Sequence, residues 1–120
     1  MEWRQFWNRM MGVRPEEGEA VHLPPVDRKN LIRRRIYFSG EVQGVGFRFR
    51  CMNHAKDLGV TGFAQNLLDG RVRAEFQSDA AHIDELIRRL EREPWIRIDD
   101  MQVTDRPLEP KEKGFIVDYF

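Results

Sequence analysis

The sequence predicts a two-layer α+β domain in which one sheet carries two helices on one face. Apolar and polar residues alternate in several short segments, as they do in half-buried strands. Two longer segments repeat their apolar residues at helical spacing. These segments follow one another in the order β-α-β-β-α-β, with one strand added at the C-terminus. That order is typical of a ferredoxin-like sandwich, an antiparallel sheet with the first and third strands as central neighbours.

Length and composition bound the class of protein. The chain has 120 residues, 20 basic and 20 acidic side chains, and 41% hydrophobic residues. These values fit one folded domain and exclude both an acidic disordered chain and a strongly basic nucleic-acid binder. Cys51 is the one cysteine, which excludes a disulfide framework and a zinc site built on several thiolates. With neither a membrane-length apolar run nor a signal-peptide pattern, the sequence predicts a cytoplasmic protein.

The first 30 residues differ from the rest and are predicted to form an N-terminal extension, with the domain itself spanning residues 31–120. The extension reads as a short amphipathic helix that ends at Gly12, followed by a linker rich in proline, glycine and charge. We expect the apolar face of this helix to dock on the domain or to pair with a second copy, in preference to a membrane surface. That face consists of Trp3, Phe6, Trp7, Met10 and Met11.

The first strand and the first helix flank a glycine-rich turn. Ile36 and Phe38 alternate with polar residues, which predicts a strand with one buried face. The run Arg33–Arg35 at its start is predicted to be solvated. After the turn at Gln43–Gly46, a helix is predicted that ends at Gly59. Its apolar stripe consists of Phe47, Cys51, Ala55 and Leu58.

The second half of the chain predicts a hairpin, a second helix and two further strands. Gly62–Gln65 reads as a short strand, and Asp69-Gly70 predicts a two-residue hairpin turn after it. Ser78 or Asp79 can cap the second helix, which Pro94 closes. The apolar positions of these elements are Val72, Ala74, Phe76, Ile83, Leu86, Ile87, Leu90, Met101, Val103, Phe115, Val117 and Tyr119.

Charge and glycine together mark one candidate anion site. Residues 31–50 hold five basic side chains against one acidic, a local positive field in an otherwise acidic chain. Glycines in the turn let backbone amides point inward around an anion, and the helix N-terminus adds further amide donors. Arg48 would add a planar fork that fits two phosphate oxygens. The same residues could also form an ordinary tight turn beside a solvated arginine.

Two other phosphate-binding motifs are excluded by spacing. The dinucleotide fingerprint needs a glycine where Phe49 stands. A nucleotide P-loop needs a Gly-Lys-Ser/Thr run, which the sequence lacks. The turn therefore predicts an anion site of a different kind.

The turn and the residues that follow it resemble a known family. Gly40-Glu41-Val42-Gln43-Gly44-Val45-Gly46-Phe47-Arg48 is followed at matching offsets by Ala55, Gly59, Gly62, Asn66, Asp69-Gly70 and Val72, and later by Gly114–Tyr119. This combination resembles the acylphosphatases over residues 33–120. The resemblance implies an enzyme that hydrolyses small-molecule acyl phosphates to a carboxylate and inorganic phosphate, without metal or cofactor.

The same resemblance implies roles for individual residues. It implies that Arg48 and Asn66 are catalytic, with Asn66 positioning the attacking water. On its own, Asn66 is more typical of a turn residue at the end of a strand, and its offset from the Arg48 loop favours the catalytic role. The residues implied to bind the substrate phosphate are Gln43, Gly44, Val45, Gly46, Phe47 and Arg48.

Two other functions are compatible with this fold. An RNA-binding module shares the element order but needs aromatic residues on the open face of the first and third strands. Here that face offers Tyr37 on the first strand and Arg71, Arg73 and Glu75 on the third, so we predict no nucleic-acid partner. A non-catalytic relative would keep the loop, bind an anion or a protein partner, and show no turnover.

The three histidines and the cysteine are predicted to be structural. His22, His54 and His82 lie in different segments with no carboxylate pair at ligand spacing, so no metal site is predicted. We expect each histidine to be exposed or half-buried. Cys51 lies on the buried stripe of the first helix and is expected to serve as a small apolar core residue.

Overall fold

The computed structural model of the protein describes residues 23–118, and its elements follow the predicted order. The predicted helix at residues 3–11, His22 and Tyr119 lie outside the described residues. None of the helices within residues 23–118 is long and apolar enough to cross a membrane. The elements are β1 (Ile32–Glu41), α1 (Phe47–Leu58), β2 (Thr61–Asn66), β3 (Val72–Ser78), α2 (Ala80–Arg92), β4 (Arg97–Arg106) and β5 (Phe115–Asp118).

The sheet has the strand order β4-β1-β3-β2-β5, so β1 and β3 are central neighbours as predicted. β1 runs antiparallel to β3 and β4, and β2 runs antiparallel to β3. The added strand β5 instead runs parallel to β2, so the sheet is mixed and its antiparallel part is the four-stranded core. Because β1 and β2 are both antiparallel to β3, their C-terminal ends lie at the same end of the sheet. The width of β3 separates them, at about 10 Å between strand axes.

The hydrophobic core lies between the sheet and the two helices. Phe38 of β1 contacts the ring of Phe47 of α1, with 4.9 Å between centroids, and lies 6.3 Å from the ring of Phe76 of β3. These contacts hold the start of α1, and with it the preceding turn, against the centre of the sheet. Every residue of the two predicted helical stripes is buried: Phe47, Cys51, Ala55 and Leu58 in α1, and Ile83, Leu86, Ile87 and Leu90 in α2.

The ends of both helices follow the predicted signals. Gly59, with φ of 73°, ends α1. Asp79, rather than Ser78, caps α2 by accepting a hydrogen bond from the His82 N–H at 2.8 Å. A carboxylate at this position satisfies one of the amides that a helix start leaves without a helical partner.

The β2–β3 hairpin differs from its prediction. The Leu67 N–H donates to the Arg71 carbonyl at 2.8 Å, and the Gly70 N–H donates to the Leu67 carbonyl at 3.2 Å. Three residues, 68–70, therefore form the loop, and the predicted two-residue turn at Asp69-Gly70 is wrong. The left-handed φ of 94° at Gly70 is typical of a three-residue loop, in which the left-handed glycine follows the turn instead of standing at its centre.

Arg33 and Arg34, which were predicted to be solvated, are buried, with side chains 3% and 7% exposed. Arg33 donates to Glu75 at 2.7 Å and to Glu112 at 2.8 and 3.0 Å. Arg34 donates to Asp84 at 2.8 Å. A guanidinium tolerates burial only when carboxylates compensate its charge. The prediction was wrong because every partner lies at least 42 residues away in the sequence. These neutralised charges add little to the expected positive field.

Residues 23–30 pack against the two helices at the end of the sheet away from the glycine turn. The Asp27 N–H donates to Asp79 Oδ2 at 2.7 Å, and the Val26 side chain lies beside Gly59. Asp79 directly follows Ser78, which pairs with Ile32 at the start of β1. The described part of the N-terminal segment therefore lies against the opposite end of the domain from the candidate anion site.

Candidate active site

A bulge at the end of β1 turns the chain into the glycine loop. The register between β1 and β4 shifts between Ser39 and Gly40. Gly40 has φ of 127°, and a Cβ atom there would collide with the Arg97 carbonyl oxygen. A bulge bends its strand and changes the direction of the segment that follows. In this chain that segment is the loop Gln43–Gly46.

The loop owes its shape to two left-handed glycines. Gly44 has φ of 75° and Gly46 has φ of 79°, values that glycine adopts at little cost. A Cβ atom at either position would meet nothing within 4 Å, so glycine serves the backbone conformation here and not the available space. Val45 between them packs against the core and anchors the loop. Alternation of left- and right-handed residues turns successive amides to one side, which forms an anion-binding concavity.

The N-terminus of α1 adjoins this loop. Gly46 is its N-cap and supplies no side-chain cap, and its carbonyl accepts the first helical hydrogen bond, from Arg50 N–H at 3.0 Å. No acidic residue stands in the first turn, so no side-chain carboxylate of that turn competes for the positive end of the helix dipole. The Phe47 side chain is buried in the core, which leaves its backbone amide as the part that can face an anion.

Arg48, in the first turn of α1, is anchored by the end of β5. Its Nη1 donates to the Asp118 carbonyl at 2.6 Å. Asp118 pairs with Gln65 in the parallel β2–β5 ladder, and the next residue of β2 is Asn66. The structure therefore brings the two predicted catalytic residues to the same corner of the sheet through β5.

Asn66 is the last residue of β2. It lies on the same strand face as the buried Ala64, toward the helices. Its Oδ1 is buried, and within residues 23–118 no hydrogen-bond partner contacts it. A buried acceptor without a partner costs about 1–3 kcal/mol, so this oxygen is suited to accept a hydrogen bond from a water or a ligand. A purely local turn role would not require burial of that oxygen.

Gln43 makes a contact that the sequence did not predict. Its side-chain Nε2 donates to the Leu67 carbonyl at 2.7 Å and to the Arg71 carbonyl at 2.9 Å. Both hydrogens of this amide are thereby used, so the backbone N–H of Gln43 is the donor left for the predicted phosphate cradle. The sequence gave no local signal because the two carbonyls lie 24 and 28 residues further along the chain.

The described histidines and the cysteine are engaged elsewhere. His54 Nε2 lies 2.8 Å from Glu93 Oε1, and His82 Nδ1 lies 2.6 Å from Asp79 Oδ1. His82 is 4% exposed, so the expectation of an exposed or half-buried ring was wrong for it. Burial raises the pKa of the Cys51 thiol well above its ordinary value. Within residues 23–118, no group of three or more His, Cys, Asp or Glu side chains is arranged to hold a metal ion.

Fold and site together define a small α+β domain that can hold an anion where a central strand passes into a helix. The sequence matches the acylphosphatase family model over residues 34–117. It is 43% identical over 86 residues to an acylphosphatase of Rubrobacter xylanophilus, covering 71% of this chain and 78% of the relative. It is 44% identical over 75 residues to an acylphosphatase of an Anaeromyxobacter species, covering 62% and 81%. The chain belongs to the acylphosphatase family.

Solved structures of acylphosphatases have the same fold. The protein from Bacillus subtilis superposes with a TM-score of 0.67 at 26% identity, covering 73% of this chain and 99% of that one. The protein from Coxiella burnetii gives 0.68 at 27% identity, covering 75% and 95%. The predicted ferredoxin-like fold and the predicted family are thus confirmed.

Proposed function

We propose that the loop Gln43–Arg48 binds the phosphoryl group of an acyl phosphate and that Asn66 positions the water that attacks it. As a member of the acylphosphatase family, the chain is an enzyme that hydrolyses acyl phosphates to a carboxylate and inorganic phosphate. The observation that carries the residue roles is the buried Oδ1 of Asn66, which contacts no partner within residues 23–118.

The loop amides and Arg48 stabilise the charge of the phosphoryl group. Phosphoryl transfer through a loose transition state asks mainly for charge stabilisation and in-line positioning. Backbone amides of the glycine loop and the N-terminus of α1 point partial positive charge at the phosphate oxygens. The Arg48 guanidinium adds full charge and a planar donor fork, and its bond to the Asp118 carbonyl fixes its orientation.

Asn66 acts on the water. Its amide oxygen accepts a hydrogen bond from the water and aligns it with the phosphorus atom, while a neutral amide is too weak a base to take the proton. The water oxygen forms the new bond to phosphorus as the bond between phosphorus and the acyl oxygen breaks. The electron pair of that bond leaves with the carboxylate, and the surplus proton of the water passes to solvent. Because a carboxylic acid has a pKa of about 4, the leaving group needs no general acid.

The same proposal includes independence of metals and cofactors. The loop amides and one guanidinium supply positive charge of the kind that a bound cation supplies in other phosphoryl-transfer sites. Activity that survives EDTA supports this part of the proposal, and activity restored only by a divalent cation contradicts it.

The proposed partner is the acyl phosphate substrate, and we propose that the protein does not bind nucleic acid. On the open face of the sheet, Arg33 and Arg35 share Glu75, at 2.7 and 2.8 Å. Arginines that are already neutralised offer little counter-charge to a phosphate backbone. The single cysteine, Cys51, cannot form an internal disulfide, and a chain without disulfides suits a reducing compartment. This supports a cytoplasmic location, to be tested by cell fractionation. Self-association through the predicted N-terminal helix is tested by comparing molar masses of the full chain and a variant lacking residues 1–22.

The decisive experiment is hydrolysis of benzoyl phosphate in the presence of EDTA, with inorganic phosphate as competitor. Arg48→Gln and Asn66→Ala are each expected to lose about a hundredfold in turnover, the scale of removing one transition-state donor. Arg50→Gln is the matched control: it lies in the same helical turn, its side chain is 51% exposed and contacts Glu93 at 3.7 Å, and it should retain activity. Circular dichroism verifies folding of each variant.

The outcomes separate the alternatives. If Arg48→Gln and Asn66→Ala hydrolyse benzoyl phosphate like the parent, the proposed residue roles are wrong. If the parent binds inorganic phosphate but turns over no acyl phosphate, the chain is a non-catalytic anion- or protein-binding member of its family.

A further inference from the structure

The position of Asn66 is set by its backbone and not by contacts of its own amide oxygen. Within residues 23–118, its Oδ1 contacts no hydrogen-bond partner. In the sheet, Asn66 pairs with Val72 of β3, and the chain then enters the hairpin loop. The geometry of that hairpin therefore decides where the Asn66 carboxamide lies.

One side chain of the phosphate loop closes on the base of that hairpin. The Leu67 N–H and the Arg71 carbonyl form the hydrogen bond that closes the loop, at 2.8 Å. Gln43 Nε2 donates to the carbonyls of these same two residues, at 2.7 and 2.9 Å. A single amide group thereby bridges both stems of the hairpin and ties them to the loop that precedes α1.

The Gln43 side chain connects the ends of two strands that are not neighbours in the sheet. β1, which leads into the loop, and β2, which ends in Asn66, are separated by β3, about 10 Å between axes. Arg48 reaches the same corner from the other side, through the Asp118 carbonyl beside Gln65. Gln43 directly contacts the residue after Asn66, whereas Arg48 reaches the residue before Asn66 only through Asp118. Gln43 is therefore the more direct of the two connections between the glycine loop and Asn66.

We infer that Gln43 is a positioning residue, whose side-chain amide sets the distance and direction of Asn66 relative to the phosphate loop. This inference rests on the proposed function of the loop and of Asn66. Gln43 acts through the hairpin and not on the substrate, because both hydrogens of its Nε2 are used by the two carbonyls. Its removal should misalign the water while the loop amides and Arg48 still bind phosphate.

The expected effect is a separation of turnover from phosphate binding. A misplacement of about 1 Å can cost about a hundredfold in rate. Gln43→Ala is therefore expected to lower kcat by about tenfold to a hundredfold, with the inhibition constant for inorganic phosphate changed by less than about threefold. Gln43→Asn, whose side chain is one methylene shorter, cannot reach both carbonyls and should give the same separation with a smaller change in core packing.

Gln77→Ala is the matched control. Its side-chain Nε2 also donates to a backbone carbonyl, that of Glu109 at 3.1 Å, and its Oε1 accepts from the Glu109 N–H at 2.8 Å. It lies five residues along β3 from Val72, about 16 Å away. The Oε1 of Gln77 also accepts from Arg33 Nη1 at 3.2 Å. Gln77→Ala should therefore lower the free energy of unfolding at least as much as Gln43→Ala and leave kcat unchanged.

A double-mutant cycle separates positioning of Asn66 from a general structural effect. In an Asn66→Ala background, Gln43→Ala should cost less than about threefold in kcat, because the group that it positions is already gone. If Gln43→Ala lowers kcat by the same factor with or without Asn66, or if Gln43→Ala and Gln43→Asn both keep the parent kcat, the inference is overturned and the proposed function stands.

A second measurement does not depend on turnover. The side-chain amide resonances of Asn66 are followed by NMR during titration with inorganic phosphate. In the parent they should shift on phosphate binding, and in Gln43→Ala the shift should be lost although phosphate binds with similar affinity. A parent that hydrolyses no acyl phosphate would contradict the proposed function, and this titration would still decide the inference. An unchanged shift in Gln43→Ala would overturn it.

Discussion

Replacing Asn66 by alanine is expected to remove turnover without weakening the fold. Most substitutions at a buried polar residue destabilise, because they leave a partner unsatisfied. The Oδ1 of Asn66 has no such partner within residues 23–118. No donor in this part of the chain therefore loses its acceptor in Asn66→Ala, so the substitution costs the folded state little.

The magnitudes follow from this geometry. A buried group that loses its partner costs about 1–3 kcal/mol, but Asn66→Ala leaves no group of the described residues without one at Oδ1. We therefore expect the free energy of unfolding of Asn66→Ala to lie within about 1 kcal/mol of that of the parent. Turnover should fall by about a hundredfold, equivalent to about 2.7 kcal/mol of transition-state stabilisation.

The assay pairs urea unfolding with steady-state hydrolysis of benzoyl phosphate, and the adjacent Gln65 supplies the control. Its side-chain Oε1 accepts from Arg73 Nε at 2.9 Å and also from Nη2 of the same guanidinium. Gln65→Ala removes that acceptor, so it should lower the free energy of unfolding by about 1–3 kcal/mol and leave turnover within about threefold of the parent. Two neighbouring amides on opposite strand faces should thus show opposite effects.

The reverse result would refute the reasoning. If Asn66→Ala lost about 2 kcal/mol or more of stability and kept turnover within about tenfold of the parent, the carboxamide would be a structural group at the end of β2. The hydrogen bond that satisfies its oxygen would then be one that the folded protein itself makes.

Two further predictions concern the sheet that supports the site. A Cβ atom at Gly62 would collide with the Glu75 carbonyl oxygen, whereas one at Gly44 would meet nothing within 4 Å. In urea unfolding, Gly62→Ala should therefore lower the free energy of unfolding by at least about 3 kcal/mol. Gly44→Ala should lower it by about 1–2 kcal/mol, because alanine is strained at this backbone angle. Equal losses would contradict this prediction. Burial raises the pKa of Glu75, but hydrogen bonds from Arg33 and Arg35 outweigh it and hold that pKa below its ordinary value of 4.5. The stabilisation from these hydrogen bonds is complete above that value and is lost as the pH falls through the lower folded-state pKa. Glu75→Gln should therefore flatten the dependence of the free energy of unfolding on acid pH. An unchanged dependence would contradict this prediction.

The parts of the fold that could be predicted are those fixed by local backbone geometry. Ile36 and Phe38 alternate with polar neighbours because successive strand residues point to opposite faces, and both are fully buried. The stripe from Phe47 to Leu58 follows the helical period for the same kind of reason. Asp79 and Gly59 act on the residues next to them, so their signals lie within a few positions of their effects.

The parts that could not be predicted depend on partners that are distant in the sequence. Arg33 resembles a solvated residue until Glu112, 79 residues away, is brought beside it. The direction of β5 could not be predicted either, because a short strand carries the same alternation whether it pairs parallel or antiparallel. The two hydrogen bonds of the Gln43 side chain could not be predicted for the same reason, since a backbone carbonyl has no sequence signature.

The candidate site likewise has one part that local sequence predicts and one part that depends on residues distant in the sequence. The proposed phosphate-binding part is a contiguous run before and within the first turn of α1, so glycine spacing and one arginine predict it. The proposed water-binding residue, Asn66, reaches that run only because β1 and β2 are both antiparallel to β3. A slip of β2 by one residue would move Asn66 to the open face of the sheet and carry Leu67 away from Gln43, with the loop unchanged. Phosphate affinity therefore tests the loop, whereas turnover tests the register of the sheet.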